Sequence, residues 1–524
     1  MPDAPPDSPL VTSLSFSRRV LIMASVVLGS TLYSTTLLVA SGMLPQMQGS
    51  MAATADEIAW STTFNILATA IVTPMAGFFV ANFGRRRVML TAVGGFTIVT
   101  YLCGQSESLE TLVLWRVMQG GLGAPLVPIS NALVLDCFPR RNAGIVSSIF
   151  GMTAVVLGPV IGPTLGGILA ETYSWRYAFY MIVPAGAAGF VALWLVMPRE
   201  PPGAGTRLDW IGFLCLSLAL GCLQMVLSRG QRLDWFESGE IVFEAIMAAL
   251  AFYLFIAHSA TADRPFLNPR LLHDRNFTLG LLLVLTYGML NFTPLVLLPS
   301  LLQTHIGFPD STIGLIVAFR GLGGTLGFFA AMFIGRLDPR IGMTMGFGLL
   351  ALSGVWLTEL NLNIGMSDLL LNSMVQGMAT GIVWVPLSVM AFSTIDGRLL
   401  SEGMAVFHLL RNVGSSLFIS VAFAMVIQST SANYSRMTEF VSPYSRAMSL
   451  PWAMGAWTTE TIPGLARLAQ EINRQAAMIG YLNAFSLYTA TSMGAIVIIW
   501  LVRRKRPAVT SRPGASGSVP PHAK

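Results

Sequence analysis

Lysine is almost absent from this 524-residue chain, and charge of either sign is scarce. Only Lys505 and Lys524 occur, both near the C-terminus, and charged residues make up 11% of the sequence. A soluble domain carries roughly one quarter charged residues. Without an earlier lysine, no Gly-rich loop ending in Gly-Lys-Ser/Thr exists, so this chain does not cradle ATP. A primary pump is excluded unless a partner supplies the ATPase.

Cysteine and histidine are also few, and their spacing carries no known chemistry. The four cysteines, Cys103, Cys137, Cys215 and Cys222, form no C-x-x-C pair, and the five histidines form no H-E-x-x-H. No G-x-S-x-G elbow is present either. We therefore predict no metal site, no disulfide, no cofactor and no hydrolase site. The cysteines are expected to pack as small apolar residues inside helices.

Long apolar runs are what the chain has instead. Hydrophobic residues make up 54% of it, and runs of about 20 residues recur, the length of helix that crosses roughly 30 Å of hydrocarbon. About fourteen spans are predicted, the first at Val20 to Leu44 and the last at Tyr481 to Val502. The predicted fold class is an all-α membrane protein, with the lipid bilayer as its first partner.

The net charge of +6 comes from arginines that gather in the short loops on one side of the predicted spans. Examples are Arg18, Arg85, Arg140, Arg199, Arg275, Arg336, Arg398 and Arg503. This asymmetry follows the positive-inside rule, so both termini are predicted to be cytoplasmic and nucleic acid is not a predicted partner. The N-terminus lacks the basic region of a cleaved signal peptide, so the first helix is predicted to be retained.

The sequence repeats weakly within itself, as transporters commonly do. RVMQGGLGAPLVPIS (Arg116 to Ser130) in the fourth span resembles MVQGMATGIVWVPLS (Met374 to Ser388) in the twelfth. Two six-helix bundles plus two extra central helices are predicted. The predicted divisions are an N-terminal cytoplasmic tail (1–19), a first bundle (20–197), two linker helices (208–260), a second bundle (277–502) with an outer loop (429–480), and a disordered basic tail (503–524).

Three longer motifs occur in order along the chain. They are GFFVANFGRRR from Gly77, LWRVMQGGLGAP from Leu114 and GPVIGPTLGG from Gly158, followed by the shorter LDWIG, RNFTLG, VQG and RNVGSS. With this set the chain resembles the major facilitator superfamily, in its fourteen-helix drug/proton antiporter branch. The resemblance implies a bacterial inner-membrane exporter of small amphipathic or aromatic compounds, working by alternating access in exchange for protons.

The third motif has a direct physical interpretation. Its first three helical glycines recur every four residues, so they lie on one helix face and allow close approach of another backbone. Its prolines free carbonyl groups and favour a kink. The motif residues are Gly158, Pro159, Gly162, Pro163, Gly166 and Gly167. A bendable packing seam is predicted, with a static helix pair as the alternative; the resemblance implies that this helix seals one end of the cavity.

Several ionisable residues fall inside or beside the predicted spans. An arginine within a span costs about 2.5 to 3.5 kcal/mol on insertion scales unless it faces a cavity or a partner. The resemblance assigns the fourth-span arginine to proton coupling or substrate electrostatics, and a structural snorkelling arginine is the alternative. The candidates for proton coupling are Arg116, Asp136, Arg320, Glu402, His408 and Arg411. His408 shares roughly one helix face with Arg411.

The loop motif after the second span predicts a cytoplasmic gate. Its residues are Gly77, Asn82, Gly84, Arg85, Arg86 and Arg87. We expect Gly77 to let a neighbouring helix approach, and the arginines to suit both a helix C-terminus and the inner leaflet. The family usually has aspartate in place of Asn82, so a weaker latch is expected; arginines acting only as topological anchors are the alternative.

The first span departs further from the family. The aspartate and asparagine typical of these antiporters fall at Thr36 and Ser41, neither of which carries a proton as a carboxylate does. Proton coupling is therefore expected at another residue, or a different ion is exchanged. The residues predicted to line the substrate cavity are Thr36, Ser41, Gln119, Asn131 and Gln376.

The outer loop contains the amphipathic stretch GLARLAQEINRQAAMIG, residues 464–480. A membrane-surface helix is one interpretation; the resemblance implies another, a contact with a periplasmic adaptor protein that joins an outer-membrane channel. Two further functions remain open besides multidrug export. One is export of a single lipid, siderophore or metabolite, and the other is a non-transporting receptor or enzyme, for which no ligand domain or catalytic cluster is visible.

Overall fold

The computed structural model describes residues 14–40, 43–53, 55–139, 143–199, 208–230, 233–262, 265–267, 269–334, 338–395, 400–442, 457 and 461–501. Within these ranges the regular structure is helical throughout, and fourteen helices are long and apolar enough to span a membrane. Their bounds are α1 Phe16–Leu37, α2 Trp60–Phe83, α3 Arg85–Gly104, α4 Leu109–Cys137, α5 Ser148–Thr172, α6 Trp175–Val196, α7 Trp210–Arg229, α8 Gly239–Thr261, α9 Arg275–Ile306, α10 Asp310–Ile334, α11 Pro339–Thr358, α12 Met366–Phe392, α13 Gly403–Thr438 and α14 Ile462–Leu501. The predicted number of spans is confirmed.

The same helix pairs pack in both halves of the chain. In the first half α1 packs against α5 and α6, while α4 packs against α2 and α3. In the second half α9 packs against α13 and α14, while α12 packs against α10 and α11. The repeat predicted from the two Gln-Gly motifs therefore corresponds to a repeated bundle of six helices.

Arginines gather at one end of both bundles, which we call the arginine-rich end. There Arg18 Nε donates to Val196 O (3.1 Å), Arg86 Nη2 to Trp194 O (2.7 Å) and Arg275 Nη2 to Leu501 O (2.9 Å). The carbonyl groups of Trp194 and Val196 lie in the last turn of α6, where no later helical N–H group pairs with them. Arg18 and Arg86 therefore also lie at the negative end of this helix dipole. The other end of the molecule is called the opposite end.

The two linker helices, α7 and α8, pack on each other and contact the bundles along the seam between α2 and α13. Asp209, just before α7, fixes them in place. Burial opposes ionisation of this carboxyl group, but hydrogen bonds from Gly212 N, from His258 and from Phe266 N outweigh it and lower the pKa of Asp209. The linker helices are thus tied to one another by an ionised side chain.

The helices α13 and α14 are much longer than a bilayer requires. They contain 36 and 40 residues, or about 54 and 60 Å at 1.5 Å per residue, against roughly 30 Å of hydrocarbon. The stretch 464–480 is the first part of α14, continuous with the membrane-spanning part. The interpretation of this stretch as a separate membrane-surface helix is therefore wrong, because residues 464–480 and the membrane-spanning part belong to one uninterrupted α-helix.

Candidate functional site

Arg116 of α4 lies in a polar cluster that joins the first four helices of the first bundle. Its side chain is fully buried. Its Nε donates to Ser61 O of α2 (3.1 Å), and its Nη1 donates to Thr36 O of α1 (2.9 Å) and to Gln119 Oε1 (2.7 Å). Its Nη2 has no hydrogen-bond partner among the described residues. The described hydrogen-bond acceptors of the guanidinium are therefore all neutral oxygens, and the Phe179 ring centre lies 5.8 Å from it.

The predicted cavity residues Thr36 and Gln119 belong to this cluster. The Thr36 hydroxyl donates to Tyr33 O (2.7 Å) on its own helix, and Gln119 Nε2 donates to Thr100 Oγ1 of α3 (2.8 Å). Asn65 of α2 adds a bond from Nδ2 to Arg116 O (2.8 Å). Both predicted residues are fully buried, so in this conformation they hold Arg116 in place and do not line open space.

Arg320 of α10 is the centre of a second cluster, in the second bundle. Its Nη2 donates to Asn291 O (2.6 Å) and Asn291 Oδ1 (3.1 Å), and its Nη1 donates to Gln376 Oε1. Gln376 Nε2 donates in turn to Asn372 Oδ1 (2.8 Å). Gln376, predicted to line the cavity, thus holds Arg320 as Gln119 holds Arg116.

The two clusters correspond through the glycine that follows each glutamine. A Cβ on Gly120 would overlap Asn65 O of α2, and a Cβ on Gly377 would overlap Arg320 O of α10. Asn65 and Arg320 therefore occupy matching positions in the two bundles. The buried cation comes from α4 in the first bundle and from α10 in the second.

Arg411 of α13 is buried. Its backbone packs against α9, where a Cβ added to Gly288 would overlap Arg411 O. Its guanidinium lies 5.7 Å from the Trp384 ring centre, a cation–π contact. The His408 ring, 6.1 Å from that of Trp384, has no hydrogen-bond partner for Nδ1 among the described residues. The predicted pairing of His408 with Arg411 in one buried region is thus present in the fold.

Among the described residues, no carboxylate forms an ion pair with the buried arginines of the bundles. In the described part of the chain, the ion pairs join Arg85 to Asp136, Arg229 to Glu240 and Glu244, His258 to Asp209, and Arg474 to Glu471. None includes Arg116, Arg320 or Arg411. Glu402 immediately precedes α13, and its side chain lies outside the described residues. The three buried arginines are therefore contacted, among the described residues, by neutral groups.

The glycine motif of α5 packs as predicted against another backbone. Along one face, Gly158 lies against Ser34 of α1 (2.7 Å from an added Cβ to Ser34 Cβ), and Gly162 and Gly166 follow against Thr35 and Val39. Pro163 lies inside the helix, and a π-helical turn, Gly151–Leu157, precedes the motif. The predicted close approach is confirmed. Its use as a bending seam stays a prediction, favoured by the π-turn because such turns are frequent at functional sites.

A second face of α5, other than the one that packs on α1, contacts the second bundle. An added Cβ on Gly167 would lie 3.0 Å from Asp310 O, and Thr164 Oγ1 donates to Gly314 O (3.0 Å). Glu171 Oε2 accepts from Ser311 N (2.9 Å) in the first turn of α10, where a carboxylate suits the positive end of the helix dipole. The motif therefore joins the two bundles at the opposite end.

Asp310, the first residue of α10, completes this junction, which we call the clasp: Gln46, Glu171, Gln303, Asp310 and Ser311. The Asp310 carboxylate is 7% exposed and accepts from Gln46 Nε2, in the short helix Leu44–Met51 of the first bundle, and from Gln303 Nε2 of α9. Sequence reasoning missed Asp310 because the predicted tenth span began at Ile313. A carboxylate just outside an apolar run gives no signal in hydropathy, and only the fold places it between the bundles.

At the arginine-rich end, the predicted gate residues surround a tight turn. Gly84 joins α2 to α3 with φ of 80°, a conformation that favours glycine. Arg85 Nη1 lies 2.7 Å from Asp136 Oδ2 of α4, with both side chains partly exposed. Asp136, predicted as a proton-coupling candidate, is thus the ion-pair partner of a gate arginine. Arg87 is exposed.

Two gate residues differ from the expectation. No heavy atom lies within 4 Å of an added Cβ on Gly77 among the described contacts, and the residue is exposed. The expected close approach at Gly77 is therefore wrong: that part of α2 faces outward. Asn82 Nδ2 donates to Phe78 O (2.9 Å) on its own helix. Of the other predicted residues, Asn131 is half-buried in α4, and Ser41 lies outside the described residues.

Comparison with known proteins gives consistent relatives. The chain is 28% identical to the multidrug export protein EmrB of Haemophilus influenzae, over 89% of this chain and 92% of that protein. It is also 28% identical to the fatty acid resistance protein FarB of Neisseria gonorrhoeae, over the same shares of each.

Solved structures share the fold at lower identity. The inward-facing bacterial homologue of the lysosomal transporter Spinster is 14% identical, with a TM-score of 0.56 over 94% of this chain and all of that one. The partially occluded xylose transporter XylE of Escherichia coli is 13% identical, with a TM-score of 0.56 over 93% and 98%. The family model of the Major Facilitator Superfamily matches residues 26–419. This chain is a multi-pass membrane transporter, not an enzyme, and belongs to the Major Facilitator Superfamily.

Proposed function

We propose that this protein exports amphipathic or aromatic compounds across the bacterial inner membrane by alternating access, in exchange for protons. The observation that carries the proposal is the clasp: two matching bundles are held together at one end by side chains of both. Opening such a contact at one end while another forms at the other end is how repeated bundles expose a central site alternately. The EmrB relative of Haemophilus influenzae, which is named as a multidrug export protein, supports multidrug export.

Several parts of this proposal follow from the sequence. The arginine-rich end is placed in the cytoplasm by the positive-inside rule, with both termini on that side. The bundles are assigned to residues 20–197 and 277–502, with the linker helices at 208–260. A periplasmic adaptor is proposed to meet the long ends of α13 and α14, which extend beyond the bilayer at the opposite end.

Export itself is tested in proteoliposomes. Purified protein should move a fluorescent lipophilic dye out of the vesicles beyond equilibration only when an imposed pH gradient drives it. Protonophore-treated vesicles should show equilibration alone. One proton moving down one pH unit yields about 1.36 kcal/mol, so a tenfold concentration ratio per unit is expected for one proton per dye. Dye movement equal to that of empty vesicles would contradict export.

Asp310 is the residue whose position best suits proton exchange. Its carboxylate accepts hydrogen bonds from both bundles, and protonation replaces an acceptor by a donor, which weakens the clasp. We expect Asp310→Asn to abolish gradient-driven accumulation and to leave downhill equilibration, measured by the same dye assay. Asp368→Asn, an exposed carboxylate at the same end, is the matched control. If the Asp310→Asn variant still shows gradient-driven transport, Asp310 does not exchange the proton. Glu402 is then the next candidate, and Glu402→Gln tests it in the same assay.

A second candidate function is export of one physiological amphiphile. The relative named for fatty acid resistance favours it, as does the absence of a carboxylate from the first helix. A screen in which one lipid-like compound is transported and the dyes are not would select this function.

A further inference from the structure

Two arginines from different helices meet at the end of α6, on the arginine-rich side of the first bundle. The helix α6 packs against both α1 and α3. Arg18 of α1 donates to Val196 O (3.1 Å), and Arg86 of α3 donates to Trp194 O (2.7 Å). These two carbonyl groups are about 3 Å apart along the axis of α6. Both guanidinium groups are therefore held beside one helix end.

Each of these arginines has an arginine as its next residue, and the four are called the arginine quartet: Arg18, Arg19, Arg86 and Arg87. The Nε atoms of Arg19 and Arg86 are buried and have no hydrogen-bond partner among the described residues. Arg18 and Arg87 are exposed. No ion pair in the described part of the chain includes any of the four. The quartet thus combines unsatisfied donors with positive charge that no described carboxylate balances.

The second bundle has carboxylates at the matching helix ends. Asp274 caps α9 by accepting from Phe277 N (2.8 Å), and Asp338 caps α11 by accepting from Arg340 N (3.1 Å). The helices α9 and α11 correspond to α1 and α3 in the repeat. At α3 the cap position is Gly84, and no side chain caps the helix. At this level the second bundle therefore contains its own anions, and an anion from outside the chain would complete the first.

The surface beside the quartet faces hydrocarbon. On the last turns of α6, the apolar side chains of Val191, Trp194 and Leu195 are each more than half exposed. Tryptophan is enriched at membrane–water interfaces, and the carbonyl group of Trp194 accepts from Arg86. An anion bound by the quartet would therefore lie at the level of the lipid headgroups, next to a surface that suits acyl chains. This position favours a phospholipid over a soluble anion.

We propose that the arginine quartet binds the phosphate group of an anionic phospholipid, whose acyl chains lie along Val191 and Leu195 of α6. Guanidinium groups pair with phosphate oxygens through two parallel N–H bonds, and basic pockets between membrane helices hold anionic headgroups. The phosphate links α1 to α3 where both meet α6. A zwitterionic lipid carries the same phosphate together with a cation that the quartet repels. The site concerns the membrane around the transporter and does not depend on which compound is exported.

The headgroup is tested by native mass spectrometry of the delipidated full-length protein in detergent. The probes are phosphatidylglycerol and phosphatidylcholine with identical chains. The wild type should bind its first phosphatidylglycerol more tightly than phosphatidylcholine. Arg19→Gln and Arg86→Gln should each weaken phosphatidylglycerol binding about fivefold, the contribution of one basic residue near anionic lipid, and leave phosphatidylcholine binding unchanged. Arg86→Lys should keep most of the preference, because an ammonium group also donates to phosphate.

Arg275→Gln is the matched control in the second bundle. Arg275 donates to Leu501 O (2.9 Å) in α14, as Arg86 donates to a carbonyl group of α6, but Asp274 precedes it. Its replacement removes the same kind of helix contact and the same charge, and should leave phosphatidylglycerol affinity unchanged. Arg19→Gln serves if Arg86→Gln lowers the thermal midpoint, because the Arg19 side chain contacts only the Phe16 ring among the described interactions.

Two results would overturn the proposal outright. They are equal wild-type affinity for the two lipids, and a loss in Arg275→Gln as large as that in Arg86→Gln, which would reflect the general charge of this end. Excess inorganic phosphate, compared with sodium chloride of the same ionic strength, separates a lipid from a soluble anion. Phosphatidylglycerol should stay bound, because its chains also contact α6. Its complete displacement by phosphate alone would assign the quartet to a soluble anion.

Discussion

Replacing Arg116 by alanine is expected to lower the efflux rate at least about tenfold and to lower thermal stability. The guanidinium links Thr36 O of α1, Ser61 O of α2 and Gln119 Oε1 of α4. A buried acceptor left without a donor costs about 1–3 kcal/mol of stability. A cost of about 1.4 kcal/mol to the arrangement of α1, α2 and α4 that transports lowers its population about tenfold, and the efflux rate falls with that population. Initial efflux rate and the midpoint of thermal unfolding, measured in the same detergent, check the prediction.

Two variants separate the charge of Arg116 from its geometry. Arg116→Lys keeps the charge but replaces a rigid fork by a single ammonium, so an intermediate loss of stability is expected. Arg176→Ala is the control near the opposite end, where the partly buried Arg176 donates to Ser106 O (3.1 Å) and lies over Trp175; little change is expected. Wild-type efflux by Arg116→Ala, with stability lowered, would show that this cation serves only to hold the bundle.

The features that the sequence predicted well are those with a strong periodicity or with a large free-energy cost of placing a charge within an apolar helix. Glycines every four residues specify a close helix pair, and Gly158 and Gly162 do lie against α1, with Gly166 against Val39 just beyond it. Arginines are costly within apolar runs, so Arg116, Arg320 and Arg411 could be selected without knowing the fold. The roles of these arginines in transport stay predictions.

Other features depend on tertiary contacts that no local pattern specifies. Gly77 and Gly84 belong to the same motif, yet only Gly84 adopts a positive φ, while Gly77 faces outward. Asp310 is close to Gln46 only because α10 packs beside α5 and the helix that follows α1. The matching of Asn65 with Arg320 also escaped the repeat comparison, because these residues differ in type and only their contacts with Gly120 and Gly377 correspond.

Gly162→Ala is expected to lower both stability and efflux, although alanine is ordinarily the better helix former. An added Cβ at this position would overlap Thr35 O, a backbone atom of α1 that cannot rotate away. Forcing extra atoms into a packed interior costs typically about 1–3 kcal/mol, more than the roughly 1 kcal/mol that alanine gains over glycine in a helix. The thermal midpoint and the dye efflux rate are the measurements.

The matched control is Gly221→Ala in α7, where an added Cβ meets no heavy atom within 4 Å. There the helix preference of alanine acts alone, so the thermal midpoint should stay the same or rise. The two substitutions make the same chemical change with opposite expected signs. Equal midpoints for both variants would show that α5 can withdraw from α1 without cost. In that case the glycine face would not set the distance between these helices, and the clasp that α5 makes with α10 would have to hold the opposite end closed by itself.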